Sequence, residues 1–524
     1  MRFFNTEGPV RPEDHYSLPP LQRWNLDEVL TLIEQKKYFL LHAPRQTGKT
    51  TCLLALMVHL NRESRYRALY VNIEAAQAAR ERVEVGMAAV VQAMANSATW
   101  RLGDAHADAL AREVLQGPSL LVGVETFLTR WCAQSPRPLV LLLDEVDALI
   151  GDTLISLLRQ LRAGYEQRPH HFPQTVVLCG VRDLRDYRIH SRAEAAIITG
   201  GSAFNIRAKS LRLGDFTADE TTTLLREHTT ETGQVFTPEA MDRVWHLTQG
   251  QPWLVNALAY EACFEMPAGR NRSQPITADL IDQAKERLIL NRVTHLDQLA
   301  DKLSEDRVRR VIEPMLAGAT LGSVPENDIQ YLLDLGLCRM APGQGLTIAN
   351  PIYREVLPRA LAFTPQASLP QITPTWLNSD GSLNPERLLD AFLAFWRQHG
   401  QPLLGSAPYH EIAPHLVLMA FLHRVVNGDG TLEREYAIGS GRMDLCLRYG
   451  TVKLAMELKV WRDGAPDPLK EGLTQLDGYL TGLGLGTGWL VIFDRRAGQP
   501  PLAERTVSVE TTSPQGRRIQ VVRA

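Results

Sequence analysis

Residues 38–51 read YFLLHAPRQTGKTT, an apolar run that breaks into a short loop with a glycine near its end. Gly48 lets the backbone come close to an anion, so that successive N–H groups and the N-terminus of the next helix face it. In that arrangement Lys49 would reach the β- and γ-phosphates, and the Thr50 hydroxyl would ligate Mg²⁺. The stretch therefore predicts a strand, a phosphate-binding loop and a helix, with a nucleoside triphosphate as the first ligand.

The whole loop is expected to surround the nucleotide. The pattern's first glycine is Ala43 here, so the loop departs from the strict pattern with the smallest side chain that could replace glycine. The residues expected to contact the nucleotide are Ala43, Pro44, Arg45, Gln46, Thr47, Gly48, Lys49, Thr50 and Thr51.

Length and composition describe a globular protein of several domains. At 524 residues the chain is too long for one compact core and suggests three units of about 150 residues. Hydrophobic residues make up 44% and charged residues 22%, with a formal net charge of -3. This balance argues against a histone-like positive coat, although a local basic groove could still hold nucleic acid.

Targeting signals and zinc patterns are missing from the sequence. The N-terminus has no apolar secretory core, and no stretch reaches the ~18 uninterrupted apolar residues that span a bilayer. The six cysteines lie far apart, without a Cys-x-x-Cys pair or a His/Cys cluster at zinc spacing. We expect a cytoplasmic protein with reduced structural thiols and no membrane partner.

A second motif, PLVLLLDEVD, covers residues 138–147. Five consecutive apolar residues predict a strand buried on both faces, and two carboxylates follow at its carboxyl end, where ligands bind in parallel sheets. Asp144 would hold Mg²⁺ through water, and Glu145 would polarise the water that attacks the γ-phosphate. Such a pair alone often begins a turn, but its position about 95 residues after the loop favours the catalytic interpretation.

Strand and helix patterns alternate around these two motifs, which is typical of a parallel α/β sheet. Periodic segments such as 52–60 and 154–165 are predicted as helices. The predicted strands cover residues 38–42, 68–73, 139–143, 176–179 and 210–213.

Several segments together resemble a known family. They are FNTEGPV at 4–10, HY at 15–16, PPLQR at 19–23 and the loop at 43–50. With them the chain resembles the prokaryotic AAA-like ATPases, which belong to the ASCE group of P-loop ATPases together with signal-transducing NTPases and archaeal-type ATPases. The resemblance implies ATP and Mg²⁺ as cofactors, and it places Tyr16, Pro19 and Arg23 near the adenine.

The same resemblance marks two further candidate positions. Strand 175–180 is followed by Arg182 and Asp183, and in such ATPases this strand often ends in a polar residue that senses the γ-phosphate; a solvated charged loop is the alternative. The turn TQGQPWL at 248–254 is similar to a Gly-x-Pro turn that approaches the nucleotide from the lid. It fits equally well a plain helix start with Pro252 in its first turn.

Residues 276–362 read mainly as helices, and near their end a helix precedes two short strands. Gly336 would close the helix, and a glycine turn over 343–345 would separate the strands. This pattern is typical of a winged helix-turn-helix, which in the resembled ATPases follows the lid. The module would bind DNA or carry motion from nucleotide site to effector, and the lack of a dense Arg/Lys stripe favours the mechanical role.

The C-terminal part contains a predicted hairpin with acidic and basic side chains. Strands over 439–449 and 452–461 carry Asp444 on the first and Glu457 and Lys459 on the second. Because side chains alternate along a strand, Glu457 and Lys459 share a face, and pairing can bring Asp444 beside them. Two carboxylates and a backbone carbonyl can bind a divalent cation, while the lysine orients or deprotonates water. The alternative is an exposed, salt-bridged hairpin face.

The surroundings of this hairpin resemble the PD-(D/E)xK nuclease superfamily, whose core is a helix, three strands, a helix and a strand. The matching features are the lead-in GRMD at 441–444, a following helix with Gln475 and Tyr479, and a last strand at 489–494. Met443 stands where the superfamily's name has proline, which is not a metal ligand.

This second resemblance implies Mg²⁺-dependent cleavage of DNA, with the metal bound by Asp444 and Glu457 and with Lys459 in catalysis. In some relatives a glutamate on the first helix joins the metal site, and Glu411 is the matching position. A helix-start glutamate stabilised by the helix dipole is the alternative for Glu411.

The sequence thus predicts a multidomain α/β protein. Its parts are a P-loop ATPase domain with a lid over 1–265, a winged-helix-like domain over 266–363, a linker over 364–386 and a restriction-endonuclease-like domain over 387–524. The predicted function is ATP hydrolysis coupled to a metal-dependent DNA nuclease, and the resemblance implies a role in defence or mobile-element biology. The alternatives are a signalling or scaffold switch with an inactive nuclease fold, and a DNA-stimulated motor. An arginine finger from a neighbour would imply a homo-oligomer.

Overall fold

The computed structural model describes residues 1–182, 188–191, 196–199, 207–291, 301–316, 321–341, 343, 345–368, 374–406, 413–426, 430–438 and 441–524. The chain divides into two compact units. The first comprises Met1–Val293 and Pro325–Pro351, and the second comprises Thr294–Val324 and Ile352–Ala524. The division passes through residues 266–363, which the sequence assigns to a single winged-helix domain.

The first unit is built on a parallel sheet. Its strands are β1 (Tyr38–His42), β2 (Arg67–Asn72), β3 (Leu139–Asp144), β4 (Thr175–Gly180), β5 (Arg188–Ser191), β6 (Ala196–Thr199) and β7 (Arg207–Arg212). Five of them form the sheet in the order β2-β3-β4-β1-β7, whereas β5 and β6 pair with each other. The five strands predicted from the sequence are confirmed, with ends that differ by no more than three residues.

Helices pack on both faces of this sheet. Alternate strand residues point to opposite sides, so that Leu69 and Leu141 belong to one core and Tyr70 and Leu142 to the other. Every residue of β3 and β4 is buried, as expected for strands covered on both faces. The helices around the sheet are Leu26–Glu34, Lys49–Arg62, Val83–Leu102, Ala105–Leu115, Gly123–Ala133 and Gly151–Ala163. Short 3-10 segments lie at Pro20–Arg23, Glu74–Ala79, Val146–Ala148 and Gly164–Gln167.

A helical lid follows the sheet in the chain. Its helices are Ala218–Thr232, Pro238–Thr248, Pro252–Tyr260 and Ala278–Leu290, with a π-helical segment at Glu261–Glu265 and a short helix at Pro267–Arg270. Local chemistry sets where these helices begin. Thr217 and Glu220 form a reciprocal capping box at the first, and the Gln251 side chain accepts from Leu254 N at the third.

The helix Glu326–Leu335 is followed by β8 (Cys338–Ala341) and β9 (Gly345–Ile348), which pair antiparallel. Gly336 has a φ of 73°, a left-handed conformation that ends the helix. The predicted helix and hairpin are therefore confirmed. They belong to the first unit, whereas the preceding helix Asp306–Leu316 belongs to the second.

The second unit contains a mixed sheet. Its strands are β10 (Gly430–Ile438), β11 (Gly441–Tyr449), β12 (Val452–Trp461), β13 (Thr487–Asp494), β14 (Val507–Thr512) and β15 (Arg518–Arg523). Their order is β10-β11-β12-β13-β15-β14. The pairs β10–β11, β11–β12 and β14–β15 are antiparallel, whereas β12–β13 and β13–β15 are parallel. Strand β12 has the bounds that the sequence predicts, and β11 covers the described part of the other predicted strand, whose residues 439–440 lie outside the described residues.

Helices cover both faces of the second sheet. Pro385–Ser406 and Ala413–Val426 enclose one core, and Leu469–Leu483 encloses the other. The helix Leu469–Leu483 connects β12 to β13, as a parallel pair requires a crossover. A short helix, Leu502–Arg505, precedes β14.

Of the stretch 364–386, which the sequence predicts as a linker, the structure describes residues 364–368 and 374–386. The helix Pro351–Ser368 runs into it, and Pro385–Ser406 begins within it. Between them, Trp376 and Leu383 are buried in a core of the second unit. Two apolar side chains of the predicted linker are therefore part of that core. In the part of the chain that the structure describes, no helix is long and apolar enough to cross a membrane.

The turn before the helix Pro252–Tyr260 provides a test of the lid's packing. Gly250 has a φ of 78°, and a Cβ there would lie 1.9 Å from Phe216 O. We expect Gly250→Ala to lower the free energy of unfolding by about 3 kcal/mol or more, because strain and a backbone clash add. Gly233 has a φ of 76°, but a Cβ there would meet nothing within 4 Å, so Gly233→Ala should cost only about 1 kcal/mol. Urea denaturation measures both, and equal losses would contradict the packing argument.

Candidate nucleotide and metal sites

The phosphate loop lies between the carboxyl end of β1 and the helix that follows it. Gly48 has a φ of 92°, and a Cβ there would lie 2.6 Å from Arg23 Nη1, which favours glycine at this position. Lys49 is buried, and its Nζ donates to the carbonyl oxygens of Ala43 and Pro44, each at 2.9 Å. The loop therefore holds its lysine against its own backbone.

Two residues, Ala43 and Arg23, stabilise the position of the loop. Ala43, at the position where the pattern has glycine, is fully buried and packs in the core that β1 shares with the helix Lys49–Arg62. Arg23 donates from Nη1 to Thr47 O and from Nη2 to Gly214 O, the latter at 2.7 Å. Its guanidinium carbon lies 4.6 Å from the ring centroid of Phe216. Arg23 thus connects the loop to the segment after β7.

Asp144, at the end of β3, is fully buried and receives hydrogen bonds from three groups. Thr50 Oγ1 and Tyr70 Oη donate to Oδ2 at 2.7 and 2.9 Å, and Glu145 N donates to Oδ1 at 2.9 Å. A buried carboxylate needs such donors because its desolvation is costly. Thr50 and Asp144, both predicted as Mg²⁺ residues, are therefore in direct contact. The sequence motifs do not identify Tyr70 as a residue of this site. The only local indication is that its phenol lies in the otherwise apolar middle of β2.

The residues after Asp144 connect β3 to β4. Glu145 has a left-handed φ of 59°, and burial raises its pKa, with the Asp144 carboxylate adding to the effect. Burial raises the pKa of Asp147 to about 6, although its Oδ2 accepts a hydrogen bond from Val181 N. A Cβ on Gly180 would lie 2.5 Å from Asp147 Oδ1. The carboxyl ends of both strands are thus held together beside the phosphate loop.

A cavity of about 710 Å³, part of it open to solvent, lies beside the phosphate loop. Tyr16 and Arg23, both predicted to lie near the base, line this cavity, as do Gln46, Gly48 and Thr51 of the loop. Pro19 does not line it, but its neighbours Leu18 and Pro20 do. The remaining walls come from the N-terminal segment, the phosphate-loop helix, the segment after β7 and the lid: Asn5, Thr6, Glu7, Gly8, Val10, Ser17, Cys52, Phe216, Leu224, Pro252, Trp253 and Asn256.

The N-terminal segment is attached to the lid and to the helix after the loop. Arg2 pairs with Glu227 at 2.9 Å and with Glu231 at 2.8 Å, on the first lid helix. Trp253 Nε1 donates to Thr6 O at 2.9 Å. On the other side, Val10 N donates to Thr51 Oγ1 at 3.1 Å. The segment therefore crosses from the lid to the phosphate-loop helix along the cavity wall.

The turn at 248–254 fits both interpretations that its sequence allows. Pro252 is the first residue of the helix Pro252–Tyr260, so the turn is a regular helix start. Pro252 and Trp253 also line the cavity, so the turn reaches it from the lid.

Arg182, after β4, faces the helix Glu326–Leu335. Its Nε lies 3.8 Å from Asp334 Oδ2, and its guanidinium carbon lies 5.0 Å from the ring centroid of Tyr331. Close by, Arg212 Nη2 donates to Leu333 O at 3.2 Å. Arg182 is thus engaged by the end of this helix, and Asp183, the other candidate at this position, lies outside the described residues.

The same helix end also contacts the phosphate loop. A Cβ on Gly336 would lie 2.8 Å from Pro44 Cγ, so the glycine allows the two segments to approach closely. Both segments belong to the first unit. A movement of the loop would therefore alter its contact with the end of the helix Glu326–Leu335.

In the second unit, the structure brings together Asp444 on β11 with Glu457 and Lys459 on β12. Leu458 N donates to Asp444 Oδ2 at 2.8 Å, which fixes this carboxylate beside β12. Lys459 Nζ lies 3.1 Å from Glu457 Oε1, and it also donates to Gln475 Oε1. The predicted juxtaposition of these residues is confirmed as geometry, whereas Glu411 lies outside the described residues.

The electrostatics of this cluster are dominated by burial. Glu457 is 3% exposed, and burial raises its pKa well above the usual value, with Asp444 adding to the effect. The ion pair with Lys459 alone would lower it, but the loss of hydration outweighs that pairing. Burial lowers the pKa of Lys459, but the neighbouring carboxylates of Glu457, Asp444 and Glu471 together outweigh it, and the net shift is upward. Tyr479 faces both carboxylates, and burial together with their charge raises its pKa to about 12.

The cluster fits a divalent cation in part. Glu457 Oε2 is buried and has no hydrogen-bond partner among the described residues, next to a second carboxylate. Such an unpaired oxygen is costly unless a cation or a water meets it. Over the described ranges, no group of three or more His, Cys, Asp or Glu side chains is arranged to hold a metal ion. A cation here would therefore take two carboxylates and complete its shell with backbone carbonyl and water oxygens.

The sheet of the first unit defines a fold class. Strand β4 lies between β1, which leads into the phosphate loop, and β3, which ends in the Asp144–Glu145 pair. A parallel sheet with this order and these two motifs is a P-loop ATPase fold.

No protein-family model matches the sequence, and no curated protein matches it. Among solved structures, the chain is similar to a Walker-type ATPase of Pyrococcus abyssi, with 15% identity, 68% of this chain and 99% of that chain covered, and a TM-score of 0.46. It is also similar to the Thermotoga maritima RuvB Holliday junction branch migration motor, with 14% identity, 62% and 92% covered, and a TM-score of 0.33. The Aeropyrum pernix ORC1 protein in complex with DNA matches with 16% identity, 69% and 94% covered, and a TM-score of 0.35. At these values the likeness decides nothing about function.

Proposed function

We propose that this protein binds and hydrolyses ATP, and that the nucleotide state controls a metal-dependent DNA nuclease in its C-terminal unit. One observation carries the proposal: a chain with a P-loop ATPase fold also holds Asp444, Glu457 and Lys459 in one cluster, with a buried carboxylate oxygen that lacks a partner among the described residues. Buried charges that do not serve packing are typical of functional sites.

In the ATPase site, different residues would bind the phosphates, hold the metal ion and activate the water. Lys49 would exchange its two carbonyl partners for phosphate oxygens, and Thr50 with Asp144 would hold Mg²⁺. Bound Mg²⁺ would offset the negative charge that develops on the phosphates. Glu145, with its raised pKa, is a stronger base than an ordinary carboxylate and would orient and deprotonate the attacking water.

The ligand's other contacts would come from the loop and the cavity. The loop residues Ala43 to Thr51 would present backbone N–H groups and side chains to the phosphates. Tyr16 and Arg23, which line the cavity, would stand near the base. Pro19 would act indirectly, by shaping the segment that carries its cavity-lining neighbours.

In the nuclease site, Asp444 and Glu457 would bind Mg²⁺, which would lower the pKa of a bound water and stabilise charge on the phosphate. Lys459 would orient that water, and Gln475 would hold the lysine in place. Cleavage of a DNA phosphodiester bond is the reaction that this set supports best. Glu411 would be a further ligand by the superfamily resemblance alone.

The two activities would be coupled through Arg182. In the present arrangement Asp334 and Tyr331 engage its guanidinium, and a γ-phosphate would compete with Asp334 for it. ATP binding would therefore loosen the end of the helix Glu326–Leu335, which also lies against Pro44. The winged-helix-like segment would then transmit the nucleotide state, which is the mechanical role that its sequence favours over DNA binding.

The ATPase half is tested by separating binding from turnover. Lys49→Ala should weaken ATP binding at least tenfold, measured by calorimetry, because the buried cation at the loop is lost. Glu145→Gln should bind ATP normally and release phosphate about a hundredfold more slowly. Lys37→Ala, before β1, is the control and should change neither. Normal turnover in Glu145→Gln would exclude this glutamate as the base, and strong stimulation of wild-type turnover by DNA would favour a motor.

The nuclease half is tested by nicking of plasmid DNA with Mg²⁺ or Mn²⁺, with and without ATP. Asp444→Ala and Lys459→Ala should each reduce cleavage about a hundredfold or more, because a metal ligand or the lysine beside the water is lost. Lys453→Ala changes an exposed lysine on the same strand and should cut normally. Wild-type protein that cuts under no condition would instead favour a signalling or scaffold switch with an inactive nuclease fold.

The coupling is tested at Asp334. Asp334→Asn keeps the oxygen that accepts from Gln330 but removes the charge facing Arg182, so phosphate no longer competes with a carboxylate. We expect ATP affinity to rise about threefold to tenfold. Arg182→Ala should lower it, and Glu326→Gln, at an exposed position of the same helix, should leave it unchanged. Equal affinity in wild type and Asp334→Asn would rule out this competition.

A further inference from the structure

Asn256 is a buried polar residue in the wall of the cavity beside the phosphate loop. It lies on the helix Pro252–Tyr260, is 8% exposed and lines the same cavity as Gln46 and Gly48. A ligand that fills this cavity would therefore meet both the phosphate loop and Asn256.

The amide of Asn256 has a fixed orientation. Its Nδ2 donates to Pro252 O at 2.8 Å. A carbonyl oxygen can only accept, so the amide nitrogen must face it and Oδ1 must point elsewhere. Oδ1 is shielded from solvent and has no hydrogen-bond partner in the described part of the chain. A buried acceptor without a donor lowers stability, so a ligand that supplied a donor to Oδ1 would gain binding free energy there.

The neighbouring walls suit a flat ring. Val10, Leu18, Leu224 and Phe216 line the cavity with apolar surface. Among them Asn256 supplies an acceptor that still needs a donor, so the ring must bring one. An exocyclic amine on a purine is such a group, whereas a 6-oxo purine would place a second acceptor against Oδ1.

We propose that Asn256 selects the base of the bound nucleotide: its Oδ1 accepts a hydrogen bond from the 6-amino group of adenine and disfavours 6-oxo purines. The assignment rests on the proposed nucleotide site and adds the residue that reads the base. It makes Asn256 a specificity determinant, separate from the loop that holds the phosphates.

The test compares three triphosphates that differ at position 6 of the purine: ATP with an amine, purine riboside triphosphate with hydrogen, and inosine triphosphate with an oxygen. Wild type should bind ATP about tenfold tighter than purine riboside triphosphate and should bind inosine triphosphate most weakly. In Asn256→Leu, which is close in size, ATP affinity should fall about tenfold and the ratio to purine riboside triphosphate should approach one. Calorimetry measures all three.

Two further variants keep the outcome clear. Val10→Ala removes apolar contact only, so it should weaken ATP and purine riboside triphosphate by the same factor and leave their ratio as in wild type. Asn256→Thr can donate to Pro252 O from its hydroxyl and is too short to replace Oδ1, so it should lose the ratio as Asn256→Leu does, even if the leucine variant unfolds.

The possible failures are distinguishable. If wild type binds none of the three triphosphates, the nucleotide site itself is wrong, and the assignment of Asn256 falls with it. If wild type binds ATP tightly and both Asn256 variants keep the wild-type ratio, Asn256 does not read the base while the ATPase proposal stands.

Discussion

The first unit depends on the position of one buried carboxylate. Asp144 has no exposed surface, so it is tolerated only because hydrogen-bond donors surround it. The donors come from different parts of the chain: the helix after the phosphate loop through Thr50, strand β2 through Tyr70, and the backbone of Glu145. The carboxylate therefore fixes the positions of the loop, β2 and β3 relative to one another. The geometry of the carboxyl edge of the sheet depends on these positions.

The sequence predicts the parts of this site that depend on local chemistry. The loop and the strands have strong signals, because an apolar run, a glycine and a lysine act within a few residues of one another. Tyr70 and Asn256 carry no comparable signal. Their roles depend on contacts with residues that are distant in the sequence, across strands or across the cavity. The residues next to them in the chain do not indicate those contacts.

The same distinction explains the second unit. Strand alternation and hairpin pairing were enough to place Asp444, Glu457 and Lys459 together. The engagement of Lys459 by Gln475 needs the crossover helix to pack at a particular register, which the sequence indicates only through resemblance. The linker prediction for 364–386 rested on composition, and composition carries no signal for the burial of Trp376 and Leu383 in a core of this unit. Likewise, the contacts of the helix Glu326–Leu335 with Arg182 could not be read from its amphipathic pattern.

The N-terminal segment has a kinetic consequence for any ligand of the cavity. It runs along the wall from the lid, held by Arg2 and the Trp253–Thr6 hydrogen bond, to Thr51 on the phosphate-loop helix. The segment forms one wall of a cavity that is partly open to solvent, so displacing the segment, which breaks these contacts, would widen the opening and shorten the lifetime of a bound molecule.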